Sequence, residues 1–189
     1  MGKEGFEHIM GLHAAPFLTG LRAACLLSFQ KSRFEDFEGL LASYLPCFRC
    51  KGISVFRLSE GSEFVLLLFY RAAPLEKALR QGAAQELLLE LGYREGESLA
   101  EMLEYLRSRM QVKKSFPHEV GLFLGYPPSD VRGFIENRGQ GFACAGYWKV
   151  YSNERQARKL FRRYSECSHA FCTRLERGES FQAMVQAVS

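Results

Sequence analysis

Residues 116–134 read FPHEVGLFLGYPPSDVRGF, and the fold turns on how they are read. The run GLFLG at 121–125 is short, apolar and bounded by Pro117 and Pro127, which predicts a buried β-strand. Ser129 or Asp130 is then placed to cap a helix carrying Val131, Phe134 and Ile135, with Gly139 placed to end it. GYWKVY at 146–151 reads as the next strand. Strand, helix and strand at this spacing predict a right-handed parallel crossover. Asn153 should cap a following helix whose apolar face is Ala157, Leu160, Phe161 and Tyr164.

On the N-terminal side, CLLSF at 25–29 reads as a buried strand. Ser32 with Glu35 makes a capping-box signature ahead of Phe34, Phe37, Leu40, Leu41, Tyr44 and Leu45 at helical spacing, and Pro46 should end that helix. Residues 53–58 and 62–71 flank Glu60-Gly61 and predict an antiparallel hairpin whose second strand is apolar on both faces. Pro74 suits the first turn of a helix, a second helical stretch stops at Gly92, and Ser98 with Glu101 forms another capping box. These helices, over 74–110, are expected to cover the sheet. The fold class is therefore α/β: one domain over 1–189 with a mixed sheet of about five strands, made of a hairpin and a parallel strand-helix-strand unit.

The totals agree with a globular chain. Its 189 residues are 47% hydrophobic and 24% charged, enough for a core without staples. Sixteen phenylalanines predict an aromatic core. A net charge of +4 permits acidic partners without demanding them. No uninterrupted apolar segment resembles a leader, and FVLLLFY at 64–70 is far shorter than a bilayer span, so a cytoplasmic protein with no membrane partner is expected. The sequence does not specify an oligomeric state.

Several constellations invite chemistry. His118-Glu119 lacks the second histidine of a zincin helix, which excludes that reaction. A His beside a carboxylate is a candidate general base, but adjacent residues entering a strand point to opposite faces. GYPPSD at 125–130 puts a helix N-terminus at a strand end, a generic anion site without any glycine-rich phosphate fingerprint. Cys47 and Cys50 form a CxxC that follows a helix instead of opening one, and Cys167 and Cys172 lack zinc-knuckle spacing. Convergence of those four thiols on a metal is the less favoured reading, and no zinc or iron is expected. Arg155, Arg158, Lys159, Arg162 and Arg163 lie opposite the apolar face of their helix. A solvated face is the default there, with nucleic acid not expected because no RNA-binding signature accompanies the cluster.

The segment FPHEVGLFLGYPPSDVRGFIENRG followed by GYWKVY, with HAAPFLTGLR near the start, resembles the bacterial family known as domain of unknown function 3793, associated mainly with anaerobic Firmicutes. The resemblance runs from about His13 to about Cys172. It implies a small cytoplasmic bacterial protein and supplies no activity, cofactor or catalytic residue. In the family pattern the first motif reads His-Cys-Ala-Pro-Thr-Leu-Ala-Gly. Here His13 and Pro16 remain, whereas Ala14 stands at the Cys position and Phe17 at the Thr position, which argues against thiol chemistry there.

Two functional classes stay open, and the sequence does not decide whether the protein is an enzyme. The favoured reading is binding of a small anionic ligand or cofactor at the carboxyl ends of the strands, through Tyr126, Ser129, Asp130 and Lys149. The alternative is an enzyme with His13 or His118 as general base, assisted by Glu119; a third reading is nucleic-acid or acidic-protein binding by the basic helix 154–164. In the strand reading, the five residues 121–125 at ~3.3 Å each hold the Tyr126 end about 16 Å from the His118-Glu119 end, too far for one site.

Overall fold

The computed structural model describes residues 1–112 and 116–188. The chain is a mixture of helices and strands, as expected, and clusters into two compact units: Met1–Ala72 with the chain from Tyr164 on, and Ala73–Arg163.

The first unit is built on a three-stranded sheet. β1 (Ala24–Gln30), β2 (Ser54–Glu60) and β3 (Phe64–Tyr70) lie in the order β1-β3-β2, all antiparallel, with Cys25 opposite Phe69 and Phe29 opposite Val65. The hairpin is thus as read, with a bulge between Arg57 and Ser59. Alternation sends Cys25, Leu27, Phe29, Val65, Leu67 and Phe69 to one face, where they join a single core cluster. Helices α1 (Lys3–Leu18), α2 (Phe37–Cys50) and the C-terminal part of α8 (Glu154–Glu176) contribute to the same cluster. Phe6, Phe29, Tyr44, Phe48 and Phe181 interlock with ring centroids 4.8–6.5 Å apart, so the aromatic core exists. Each such pair adds about 0.5–1.5 kcal/mol beyond the area it buries.

Two local expectations in this unit are corrected. Asp36, not Ser32, caps α2, its Oδ1 accepting from Gly39 N at 2.8 Å, because residues 31–33 form a separate 3-10 turn. Pro46 lies inside α2 instead of ending it, and the helix runs on to Cys50. The missing proline N–H costs one bond, which the buried Tyr44 and Phe48 on either side offset by anchoring the helix.

The second unit is mainly helical: α3 (Ala72–Leu79), α4 (Gly82–Glu90), α5 (Leu99–Val112), α6 (Val120–Phe123) and α7 (Pro128–Glu136), a two-stranded antiparallel sheet of β4 (Cys144–Ala145) and β5 (Lys149–Val150), and the start of α8. The helices expected to cover the sheet thus belong to a unit distinct from the one holding β1–β3. The Ser98–Glu101 capping box is formed reciprocally: Ser98 N donates to Glu101 Oε2 at 2.7 Å, and Glu101 N to Ser98 Oγ at 3.3 Å.

The opening stretch folds differently from its strand reading. Residues 120–123 are a helical turn, β5 is confined to two residues, and every strand pairing is antiparallel, so there is no parallel crossover among the described residues. The reason is visible at Gly125. With φ +73° it accepts the left-handed conformation, and Gly125 N donates to Leu122 O at 2.9 Å while Tyr126 N donates to Gly121 O at 2.8 Å. This paired closure is a Schellman motif, with Pro127 following as it commonly does. An apolar run buried on all sides carries no periodicity that separates helix from strand, and Val120, Leu122, Phe123 and Leu124 are all buried.

Candidate functional site

The helical closure brings together what the strand reading separated. In a helix four residues advance about 6 Å instead of about 13 Å, and the chain turns back at Gly125. His118 and Tyr126 consequently line one pocket of about 290 Å³ in the second unit, together with Phe116, Phe134, Trp148 and Lys149. Gly121 forms part of its floor; a Cβ there would stand 2.9 Å from Val131 Cγ2 and 3.0 Å from Tyr126 Cδ2, so the absence of a side chain lets the walls meet.

The walls are aromatic. Tyr126 stacks on Trp148 at 4.9 Å with a 27° interplanar angle, and His118 meets Phe134 edge-on at 4.9 Å. Trp148 also abuts Phe161 edge-on at 4.6 Å. Among the described residues of the lining, Lys149 supplies the ammonium group. Its ammonium donates to Gly139 O at 2.8 Å and lies 5.6 Å from the Phe134 ring centroid and 4.9 Å from that of Phe142. An ammonium has three donor hydrogens, so this carbonyl bond uses one.

Asp130 also lines the pocket, buried to 2% exposure, but it is committed elsewhere. Its Oδ1 accepts from Tyr151 N, Ser152 N and Ser152 Oγ, each at 2.8 Å, and its Oδ2 accepts from Trp148 Nε1 at 2.8 Å. A carboxylate offers about two acceptor positions on each oxygen, so Oδ1 is fully committed and Oδ2 is engaged by the indole. Asp130 is therefore the post that fixes Trp148 and the turn into α8. Neither it nor Ser129 caps α7, whose N-cap residue is Pro127 with no side-chain bond. Ser129 is exposed, bonds Ser152 Oγ at 3.1 Å and is not part of the pocket lining. An anion at the start of α7 would meet the Asp130 carboxylate.

Glu119 points away from His118. It is 1% exposed and ion-pairs with Arg109 Nε, while Arg109 also donates to Leu91 O at 3.1 Å. Burial works to lower the Arg109 pKa, but bonds to Tyr105 and Glu119 outweigh it and raise the value. Burial, with the Glu119 charge adding to it, pushes the Tyr93 phenol well above its usual range. His118 lines the pocket while Glu119 is paired with Arg109, so the two make no base–carboxylate pair; the strand alternation from which their separation was expected is replaced by a turn leading into a helical turn. His13 is exposed on α1 in the first unit and does not line the pocket.

The thiols are dispersed. Cys47 and Cys50 sit in the last turn of α2, Cys167 and Cys172 on α8, and burial raises the pKa of both Cys47 and Cys172. Cys167 Sγ lies 3.2 Å from Thr19 Oγ1. Among the described residues, no group of three or more His, Cys, Asp or Glu is placed to hold a metal ion. No described helix is long and apolar enough to cross a membrane.

With this geometry in view, comparison with known families returns a match over residues 10–185 to the family described as "Protein of unknown function (DUF3793)". The chain belongs to that family. No curated protein and no solved structure matches it. Within this DUF3793 chain, the pocket residues that the sequence reading passed over are Phe116, Phe134 and Trp148. By sequence, Phe134 falls on a helix with Val131 and Ile135, and Trp148 within the GYWKVY strand. The missed signal was Gly125-Tyr126-Pro127, a helix stop that folds the apolar run back onto Tyr126.

Proposed function

We propose that the second unit binds a small, flat, largely apolar ligand bearing one anionic group, without performing chemistry on it. The observation that carries this reading is the pocket itself: aromatic walls from Tyr126, Trp148, His118 and Phe134 and, among the described residues, a single ammonium, Lys149, at their edge. Its volume of about 290 Å³ lies at the low end of the ~300–1,000 Å³ typical of ligand pockets, which suits one or two fused rings. The rings offer π-faces for stacking, and Lys149 sets the sign of the charge. Asp130, whose carboxylate already accepts from four donors, serves to support Trp148. The engagement of the neighbouring Glu119 by Arg109 favours binding over general-base catalysis at His118.

Trp148 is the chain's single tryptophan, so its fluorescence reports on the pocket alone. Titration of the full-length protein with benzoate and 2-naphthoate should change that emission saturably, whereas naphthalene-methanol and benzylammonium should bind at least tenfold more weakly. Lys149→Gln should weaken naphthoate binding by about 10-fold or more, the worth of one charge-assisted bond. Tyr126→Ala and His118→Ala, which line the same pocket, should each weaken it several-fold. Equal binding of the cation and the carboxylate, or a Lys149→Gln protein with unchanged affinity, would overturn the reading.

A further inference from the structure

The first turns of α8 hold Arg155, Arg158, Lys159, Arg162 and Arg163, all exposed. Residues 154–163 carry these five cations and one carboxylate, Glu154, a net +4 that equals the formal net charge of the whole 189-residue chain. Glu154 bonds Arg158 Nε at 2.7 Å. Among the described residues, no ion pair joins Arg155, Lys159, Arg162 or Arg163 to a carboxylate, Glu166 included. Elsewhere on the surface Arg57, Arg80, Arg132 and Arg174 are each paired with a glutamate.

This arrangement works against the helix that carries it. Arg155 with Lys159, Lys159 with Arg163, and Arg158 with Arg162 are like charges four residues apart, a destabilising spacing. They also occupy the N-terminal half of α8, the first of them within the turn where the helix dipole repels cations. Neither packing nor local electrostatics accounts for a uniformly basic stripe in that position, whereas a polyanionic partner does.

We propose that the exposed stripe of α8 docks the phosphate backbone of a nucleic acid without regard to base sequence. Lysine and arginine contacts to phosphates are sufficient for such binding, and guanidinium forks match phosphate oxygens in pairs. A membrane surface fits less well, because the helix's apolar residues Ala157 and Tyr164 are buried and those exposed between 155 and 166 are all polar. An acidic protein fits less well because stable protein interfaces are anchored by buried aromatic or apolar side chains, which the stripe lacks. The proposal is independent of the ligand pocket.

The test is fluorescence anisotropy of the full-length protein with labelled mixed-sequence 20-mer DNA, duplex and single-stranded. Four neutralised phosphates imply that raising salt from 50 to 200 mM weakens binding about 150-fold for duplex and about 50-fold for single strand. Which form binds more tightly identifies the source of the phosphates. The variant Arg155→Gln/Lys159→Gln/Arg162→Gln/Arg163→Gln should lose this binding while melting no lower than the parent, since it sheds like-charge repulsion. If that variant misfolds, the single substitutions Lys159→Gln and Arg162→Gln should each lower affinity and reduce the salt slope by about one. Absence of binding at 50 mM salt, binding that survives the substitutions, or equal binding of polyglutamate or phosphatidylserine vesicles would each overturn the proposal.

Discussion

Asp130→Asn is the substitution that most directly interrogates how the pocket is built. The carboxylate accepts four hydrogen bonds at 2.8 Å from Trp148 Nε1, Tyr151 N, Ser152 N and Ser152 Oγ. An asparagine keeps the shape but has one oxygen. If that oxygen serves the three donors of Tyr151 and Ser152, the amide NH2 confronts the indole N–H, donor against donor. Losing that bond and leaving a donor unsatisfied costs about 1–3 kcal/mol. The three surviving bonds fall from charge-assisted to neutral, roughly halving each. The sum is about 3–5 kcal/mol, a large part of the 5–15 kcal/mol that holds an ordinary domain together. Urea unfolding followed in parallel by far-UV circular dichroism and by Trp148 emission should show the midpoint falling by about 1–3 M. Trp148 emission should also shift in the folded baseline as the indole loses its restraint. An Asn variant within about 1 kcal/mol of the parent, with unchanged emission, would refute the role of Asp130 as the post beneath Trp148.

Two further predictions concern buried groups. Glu119→Gln leaves Arg109 without its countercharge at a site where Glu119 is 1% exposed, so it should lower stability by about 3 kcal/mol. Replacing both partners with Leu and Met should restore more than half of that in the same urea assay, because an apolar pair leaves no unpaired charge. Cys25 is 3% exposed, and burial pushes its thiol up to about 12 despite the opposing charge of Arg22. A thiol whose folded pKa is raised ionises first in the unfolded chain, so its contribution is constant below about pH 9 and then falls by about 1.4 kcal/mol per pH unit towards pH 12. Thermal melts from pH 8 to 11 should therefore decline less steeply for Cys25→Ala than for the parent; equal slopes would contradict the assignment.

Much of this structure was legible from local chemistry. The hairpin β2–β3, strand β1, the Ser98–Glu101 cap of α5 and the Asn153 start of α8, whose Oδ1 accepts from Gln156 N at 3.1 Å, follow from alternation and from side chains that bond their own backbone neighbours. The exposed basic face of α8 and the aromatic core were readable for the same reason, since periodicity alone decides which side of an element faces water. The site was less legible. His118, Tyr126, Asp130 and Lys149 stood out in the sequence, but their meeting in one pocket depends on residues 120–126 being a closed helical turn. An apolar run buried on every side has no polar positions to mark its period, so its own composition was silent between 3.3 Å and 1.5 Å per residue. Tertiary burial of Val120, Leu122 and Phe123, closed by Gly125 in the left-handed region, made that choice. The same burial turned Glu119 towards Arg109, and it left Asp130 to hold Trp148, 18 residues along the chain. Partners so distant in sequence are joined only when packing sets which face of each turn is inward.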